Sequence, residues 1–338
     1  MKDIHSILNA ITNTTQAKVL TTIINVEGSA YRKEGTAMLF FGDDSELGLL
    51  SGGCLENDLK ERAKQLMVKK SSYITKYDMM SIDELSWGQQ SGCNGKITIL
   101  LEYVNEQLQI HLKEVERFLK KGLTVLHVKK ISEQDAVSEY FTMAEEKHIF
   151  GTSNNANKLP LNKWLSEQKN KLVNLDDSSE KYFIQVFKPK PRLVILGAGP
   201  DVRPLVYFAA KVGYSVIIND WRPAYCNNEF FPDADQLIID FPKEFINKFT
   251  FSSTDSVVIM THNFHKDKEI LEMILQRKLQ YVGILGPSKR TALLCTNHEI
   301  PESLHSPIGI EIGAEGPEEI AISIVAEIIK TERNQGPL

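Results

Sequence analysis

The sequence lacks the features that mark several whole classes of protein. Its four cysteines in 338 residues are scattered and never in CxxC spacing, which argues against a disulfide scaffold and against a structural zinc site. No apolar run comes near the ~18 residues of a membrane span. The opening, Met1-Lys2-Asp3-Ile4-His5, leads straight into an amphipathic segment with Ile4, Ile7, Leu8 and Ile11 and has no apolar core of a secretory signal. Positive charge is not in excess: 39 basic against 44 acidic side chains leave a formal net charge of −5. The basic face or stripe that nucleic acid calls for is therefore missing. These absences predict a cytoplasmic protein with reduced thiols that engages neither membrane nor nucleic acid. The remaining composition, 42% hydrophobic and 25% charged, is ordinary for a globular protein, and the length suits about two domains of roughly 150 residues.

Two of the few cysteines stand out by their neighbours. Ser51-Gly52-Gly53-Cys54-Leu55-Glu56 and Ser91-Gly92-Cys93-Asn94-Gly95 each place a thiol beside glycines in a turn. After Cys54, Leu55, Leu59, Ala63, Leu66 and Met67 repeat at helical spacing, so Cys54 is expected at a helix N-terminus. Unpaired amides and the macrodipole there favour an anion, which draws a thiol below about 8.5 and makes it a nucleophile or soft ligand. The competing reading is a small buried hydrophobe at a tight turn, and both stay open on the residues alone.

The chain reads as α/β throughout. An N-terminal mixed α/β domain is expected over residues 1–104, with strands at Ala17–Val26, Thr36–Phe41, Leu47–Leu50, Tyr73–Tyr77 and Lys96–Val104. Residues 105–190 form an intermediate segment, expected to pack with that domain. It shows helical periodicity at Leu108–Leu119, strands at Leu123–Val128 and Tyr140–Met143, and polar, looped stretches at Gly151–Asn157 and Lys171–Glu180. Phe187-Lys188-Pro189-Lys190-Pro191 marks a boundary. Residues 191–338 then alternate strands (Arg192–Leu196, Ser215–Asn219, Gln236–Ile239, Ser256–Met260, Gln280–Leu285) with helices, ending in a long helix opened by Gly316-Pro317-Glu318-Glu319. Such alternation means a Rossmann-like parallel sheet.

Gly197-Ala198-Gly199 after the first of these strands, with Asp220 twenty-one positions after Gly199, matches part of the dinucleotide fingerprint. Its third glycine is replaced by Val202, flanked by Pro200 and Pro204, and a side chain there is expected to push helix from strand and crowd a pyrophosphate. An NAD(P)-dependent oxidoreductase is therefore the alternative reading; otherwise the two glycines simply permit the turn. Ligands of such sheets bind at the carboxyl ends of the strands, where Thr261-His262-Asn263 with Asp267 and Gly283-Ile284-Leu285-Gly286-Pro287-Ser288-Lys289-Arg290 fall. His262, Gly286, Lys289 and Arg290 are accordingly candidate ligand residues. The two cations near a helix start suit a phosphate, or else a solvated terminus.

Taken together the motifs resemble the xanthine dehydrogenase accessory factor family (XdhC/CoxI). The resemblance rests on Glu27-Gly28-Ser29-Ala30-Tyr31-Arg32 with Gly35, Gly48 to Glu56, Trp87-Gly88 with Gly92-Cys93-Asn94-Gly95, Gly197-Ala198-Gly199, Thr261-His262-Asn263 with Asp267, Tyr281 to Gly286, and Pro307 to Ala321. It implies a maturation factor, a chaperone more than a catalyst, that binds the molybdenum cofactor (molybdopterin) and delivers it to a xanthine dehydrogenase-type hydroxylase. Sulfuration by a cysteine desulfurase is part of the same implication, and a factor that shields a labile cofactor would gain from a homodimer interface over the site. Gly52, Gly53, Cys54, Glu56, Cys93, Gly197, Gly199, Asp220, His262, Gly286, Lys289 and Arg290 become its expected cofactor-binding residues, with Cys54 and Cys93 against molybdenum. Three departures concern the binding motifs. Pro200-Asp201-Val202 stands for the usual His-Val-Gly, Gln89-Gln90 for Leu-Gly, and Pro287-Ser288 for Ser-Arg.

Overall fold

The computed structural model describes residues 3–53, 55–78, 95–132, 137–144, 148–151, 159–175, 180–295 and 299–334. Cys54, Cys93, Trp87-Gly88 and Gln89-Gln90 lie outside them. The chain divides into two compact units, Met1–Pro189 and Lys190–Leu338.

The first unit holds two antiparallel five-stranded sheets. One has the order β3-β2-β1-β5-β4, built from β1 (Lys18–Gly28), β2 (Ala37–Phe41), β3 (Glu46–Gly48), β4 (Ser72–Asp78) and β5 (Gly95–Tyr103). Alternation along β1 separates its two faces. Val19 and Ile23 pack with Leu59, Ala63 and Leu66 of α2 (Glu56–Lys69). Leu20 packs with Ile7, Leu8 and Ile11 of α1 (Asp3–Asn13) and with Leu112 and Val115 of α3 (Glu106–Lys120). Asn105 caps α3, its side chain accepting from the Leu108 amide, as short polar side chains do at helix starts.

The second sheet, β8-β7-β6-β10-β9, comprises β6 (Val125–Ile131), β7 (Val137–Ala144), β8 (His148–Gly151), β9 (Lys171–Asn174) and β10 (Lys181–Phe187). Leu161 and Trp164 of α4 (Leu161–Glu167) cover one face. On the other, His111 and His127 meet at Thr142, with His111 Nε2 2.5 Å and His127 Nδ1 2.9 Å from its hydroxyl. Burial and then the Lys129 charge push His111 down to about 4, and burial first of all holds His127 well below its ordinary value, so the pair is neutral at pH 7. Lys129 itself forms a buried ion pair with Glu102. β9 corrects the looped reading at residues 171–174: it is a four-residue edge strand with polar ends, too short to show periodicity, while residues 176–179 lie outside the described residues. The loop reading of residues 152–157 falls outside the described residues.

The second unit is a six-stranded parallel sheet of order β13-β12-β11-β14-β15-β16. Its strands are β11 (Arg192–Leu196), β12 (Ser215–Asn219), β13 (Gln236–Ile238), β14 (Ser256–Ile259), β15 (Tyr281–Ile284) and β16 (Leu304–His305). Leu193 and Ile195 face α5 (Val202–Lys211) and α9 (Pro317–Asn334). Val194 and Leu196 face α6 (Pro242–Lys248), α7 (Phe264–Ile274) and α8 (Ser288–Leu294). Both faces are covered, as the continuous apolar strands require. Strand order reverses between β11 and β14, and that switch point is the crevice where ligands of such sheets bind. Val202, expected to push the helix away, is fully buried in the α5–α9 core; it packs as a core residue and holds α5 against the sheet. Among the described residues no helix is long and apolar enough to cross a membrane.

Candidate functional site

In the first unit the loop before α2 is organised by a carboxylate. Glu56 is buried, and its Oε1 accepts from the Leu50 amide at 3.2 Å and the Ser51 amide at 2.7 Å. Oε2 accepts from the Ser51 hydroxyl and from the Leu55 amide at 3.2 Å. Burial alone would raise its pKa, but the Ser51 hydroxyl and the backbone donors outweigh it and hold the carboxyl below its ordinary value. Both oxygens of Glu56 are thus engaged within the loop. It also supplies the negative charge that the first turn of α2 favours, together with Asp58. Gly52 and Gly53 are exposed, with open space where a Cβ would stand and φ +105 at Gly53.

The described flanks of the two cysteine motifs lie at one end of the same sheet. Leu50, Leu55, Ala30, Tyr77 and Ile97 share a hydrophobic cluster. Gly95 pairs with Gly28, and a Cβ on it would lie 2.6 Å from the Glu27 carbonyl oxygen. The expected meeting of Cys54 and Cys93, with thirty-eight residues between them in sequence, lies outside the described residues. Among the described residues no group of three His, Cys, Asp or Glu side chains is placed to hold a metal ion.

In the second unit the glycine turn closes tightly against the switch point. A Cβ on Gly197 would stand 2.2 Å from the Met260 carbonyl oxygen, and its φ is +124. The turn's amides are largely spent. Gly197 N donates to Asn219 O at 2.8 Å and Ala198 N to Asp220 Oδ2 at 2.8 Å, while Val202 N returns to Gly199 O. Pro200 has no N–H. Asp220 is fully buried, and Arg222 grips both its oxygens at 2.9 and 2.7 Å while the Arg222 amide donates to Oδ1 at 2.9 Å. Asp220 therefore anchors the turn, with four donors on its two oxygens.

Above Gly199 stands a side chain that motif matching passes over. Asp201 Oδ1 lies 2.5 Å from where a Gly199 Cβ would be, and Asp201 Oδ2 is 2.7 Å from His262 Nε2. His262 adopts φ +58, a left-handed conformation uncommon outside glycine. The signal for Asp201 in the sequence is an acid two positions after the second glycine, where a phosphate-binding turn keeps negative charge out.

Deeper in the crevice wall, Asp267 is buried and accepts from the Thr261 hydroxyl at 2.5 Å and from Arg290 at 2.6 Å. The Arg290 guanidinium also lies 5.9 Å from the centre of the Phe264 ring. Arg290 ties α8 to the loop after β14 through a bond from one end of its guanidinium. Gly286 adopts φ +130 beside the Arg290 side chain. Lys289 is exposed and, of the two expected cations, is the one free of an ion pair among the described residues. The structure thus gathers Gly197, Gly199, Asp220 and His262 at the switch point, joins Arg290 to Asp267, and gives Asp220 and Arg290 structural roles.

A sheet of this order, a tight glycine turn and loop-forming glycine motifs in a preceding antiparallel unit define a two-part α/β protein of one family. Residues 12–78 match the profile described as XdhC and CoxI family, and residues 193–328 that of the XdhC Rossmann domain. Residues 106–188 match the BH1974-like central domain. A Bacillus subtilis (strain 168) protein, named as one of the subunits of a probable xanthine dehydrogenase, is 42% identical over 333 residues, 98% of each chain. The chain belongs to the XdhC and CoxI family. A solved structure from Bacillus halodurans, described as a xanthine dehydrogenase, is 46% identical with a TM-score of 0.87, covering 99% of this chain and 97% of that one. The molybdenum cofactor insertion chaperone PaoD of Escherichia coli (strain K12) is 22% identical over 94% of this chain and 84% of its own.

Proposed function

We propose that this chain is an accessory factor that binds the molybdenum cofactor as cargo and delivers it to a xanthine dehydrogenase-type hydroxylase. What supports the reading is the combination of family membership along the whole chain with a Rossmann crevice unsuited to a dinucleotide. The nucleotide alternative requires free amides and no competing charge at the glycine turn. Here Ala198 N is bonded to Asp220, Pro200 offers no donor, and a carboxylate overhangs Gly199. Nothing in that geometry favours NAD(P).

The cargo has a donor-rich pterin ring, a phosphate and a metal held by sulfur. Acceptors at Asp201 and His262 fit the first, and exposed Lys289 fits the second. Cys54 and Cys93 stay the proposed soft donors for the third and for sulfur supplied by a cysteine desulfurase. A homodimer covering the labile cargo belongs to the same proposal. The test is to isolate the target hydroxylase from cells with and without this chain. The reading expects folded hydroxylase short of molybdenum and activity in its absence, restored by the chain supplied from a plasmid. Full cofactor content without the chain would overturn it.

A further inference from the structure

We propose that the Asp201–His262 pair receives the donor edge of a 2-amino-4-oxopyrimidine ring, the edge common to pterins and guanine. The glycine turn would then hold the ring end of its ligand and no phosphate, the reverse of a dinucleotide site. This deepens the carrier reading and rests on it.

The turn has lost its ability to hold an anion. Of the amides from Gly197 to Val202, those of Gly197, Ala198 and Val202 are bonded within the protein and Pro200 has none. Only Gly199 and Asp201 keep theirs. The space that a second glycine leaves for a pyrophosphate is occupied by Asp201 Oδ1, and a phosphate there would face a carboxylate at close range.

What replaces the cradle is a pair of acceptors. A carboxylate only accepts, so the 2.7 Å bond places the proton on His262 Nε2. In a neutral imidazole with Nε2 donating, Nδ1 is an acceptor as well, and Asp201 Oδ1 has no donor among the described residues. Both side chains are open to solvent, at 28% exposure for Asp201 and 57% for His262. A non-glycine residue at φ +58 is strained, and the bond to Asp201 fixes His262 in the crevice. A 2-amino-4-oxopyrimidine offers a ring N–H and an amino N–H side by side, the spacing a carboxylate accepts in pairs. Adenine and phosphate offer no such edge.

The experiment titrates the full-length protein with 6-hydroxymethylpterin and with GMP, using AMP, NADH and inorganic phosphate as controls. Wild type is expected to bind a ring probe and not the controls, and the better of the two probes identifies the source of the ring. Asp201→Asn and Asp201→Ala should each weaken that binding about 10- to 100-fold, the loss expected for a hydrogen bond to a charged group. Their melting temperatures should match wild type, because Asp201 makes no capping bond to α5. Equal ring binding by Asp201→Asn, or no ring binding by wild type, overturns the assignment. So does binding of AMP or phosphate in competition with the pterin. Molybdopterin carried normally by Asp201→Asn, with its ring binding unchanged, sinks the assignment and leaves the carrier reading standing. Asp201-dependent ring binding by a wild type that carries no molybdopterin does the opposite.

Discussion

Gly197→Ala is expected to lower the stability of the C-terminal unit by about 3–5 kcal/mol, a fall of ~10 °C in its melting temperature. The substituted Cβ would stand 2.2 Å from the Met260 carbonyl oxygen and 3.0 Å from the Thr261 amide nitrogen, both backbone atoms of the facing loop. Backbone cannot swing aside as a long side chain would, so β11 and β14 must part at their carboxyl ends. The φ of +124 adds strain of its own, since alanine is disfavoured there. The same movement would pull His262 away from Asp201, so ligand binding should fall with stability. Gly52→Ala is the control: open space surrounds it, and its stability should stay within about 0.5 kcal/mol of wild type. A Gly197→Ala protein that melts like wild type would contradict the close approach of the two loops.

Glu56→Ala is expected to cost the first unit about 3–5 kcal/mol and to loosen residues 50–55. The substitution removes the acceptor of three amides, Leu50, Ser51 and Leu55, and of the Ser51 hydroxyl in a buried site. Each donor left unsatisfied costs about 1–3 kcal/mol, partly relieved where water enters. Glu56→Gln keeps one acceptor oxygen and should recover part of the loss. The sign of the pH effect follows from the lowered carboxyl pKa. The Glu56 contribution is present above the unfolded carboxylate value, near about 4.3, and is lost as pH falls through the lower folded value. Denaturant unfolding of wild type and Glu56→Gln between about pH 3 and 7 reads both effects. A wild-type stability no more sensitive to acid than that of Glu56→Gln would count against the bonding at this loop.

The second unit is legible in the sequence because its strands are buried on both faces. Val194-Ile195-Leu196 and Val257-Val258-Ile259 are continuous apolar runs, and only a covered parallel sheet uses them. The middle of the chain is hard to read for the opposite reason. β9 is a four-residue edge strand, and α4 spans seven residues, lengths at which neither period repeats. At the site, type and place are readable while commitment is not. Asp220 has the spacing of a ribose ligand, but Arg222 two residues later saturates it. Glu56 looks free in the sequence and is consumed by its own loop. Val202 looks like an obstruction at a glycine position and is instead part of the core. Asp201 draws no attention as a ligand because motif matching registers it only as a departure. Its meaning appears once Gly199 and His262 are seen beside it.

Carriage of the molybdenum cofactor by this chain is open to direct measurement. The protein is purified anaerobically from a host that makes the cofactor and denatured, and molybdopterin is quantified as its fluorescent oxidised derivative. Molybdopterin is expected in wild type, and its loss is expected from Gly197→Ala. Wild-type protein that carries none, prepared beside a known carrier that does, would contradict the carrier reading.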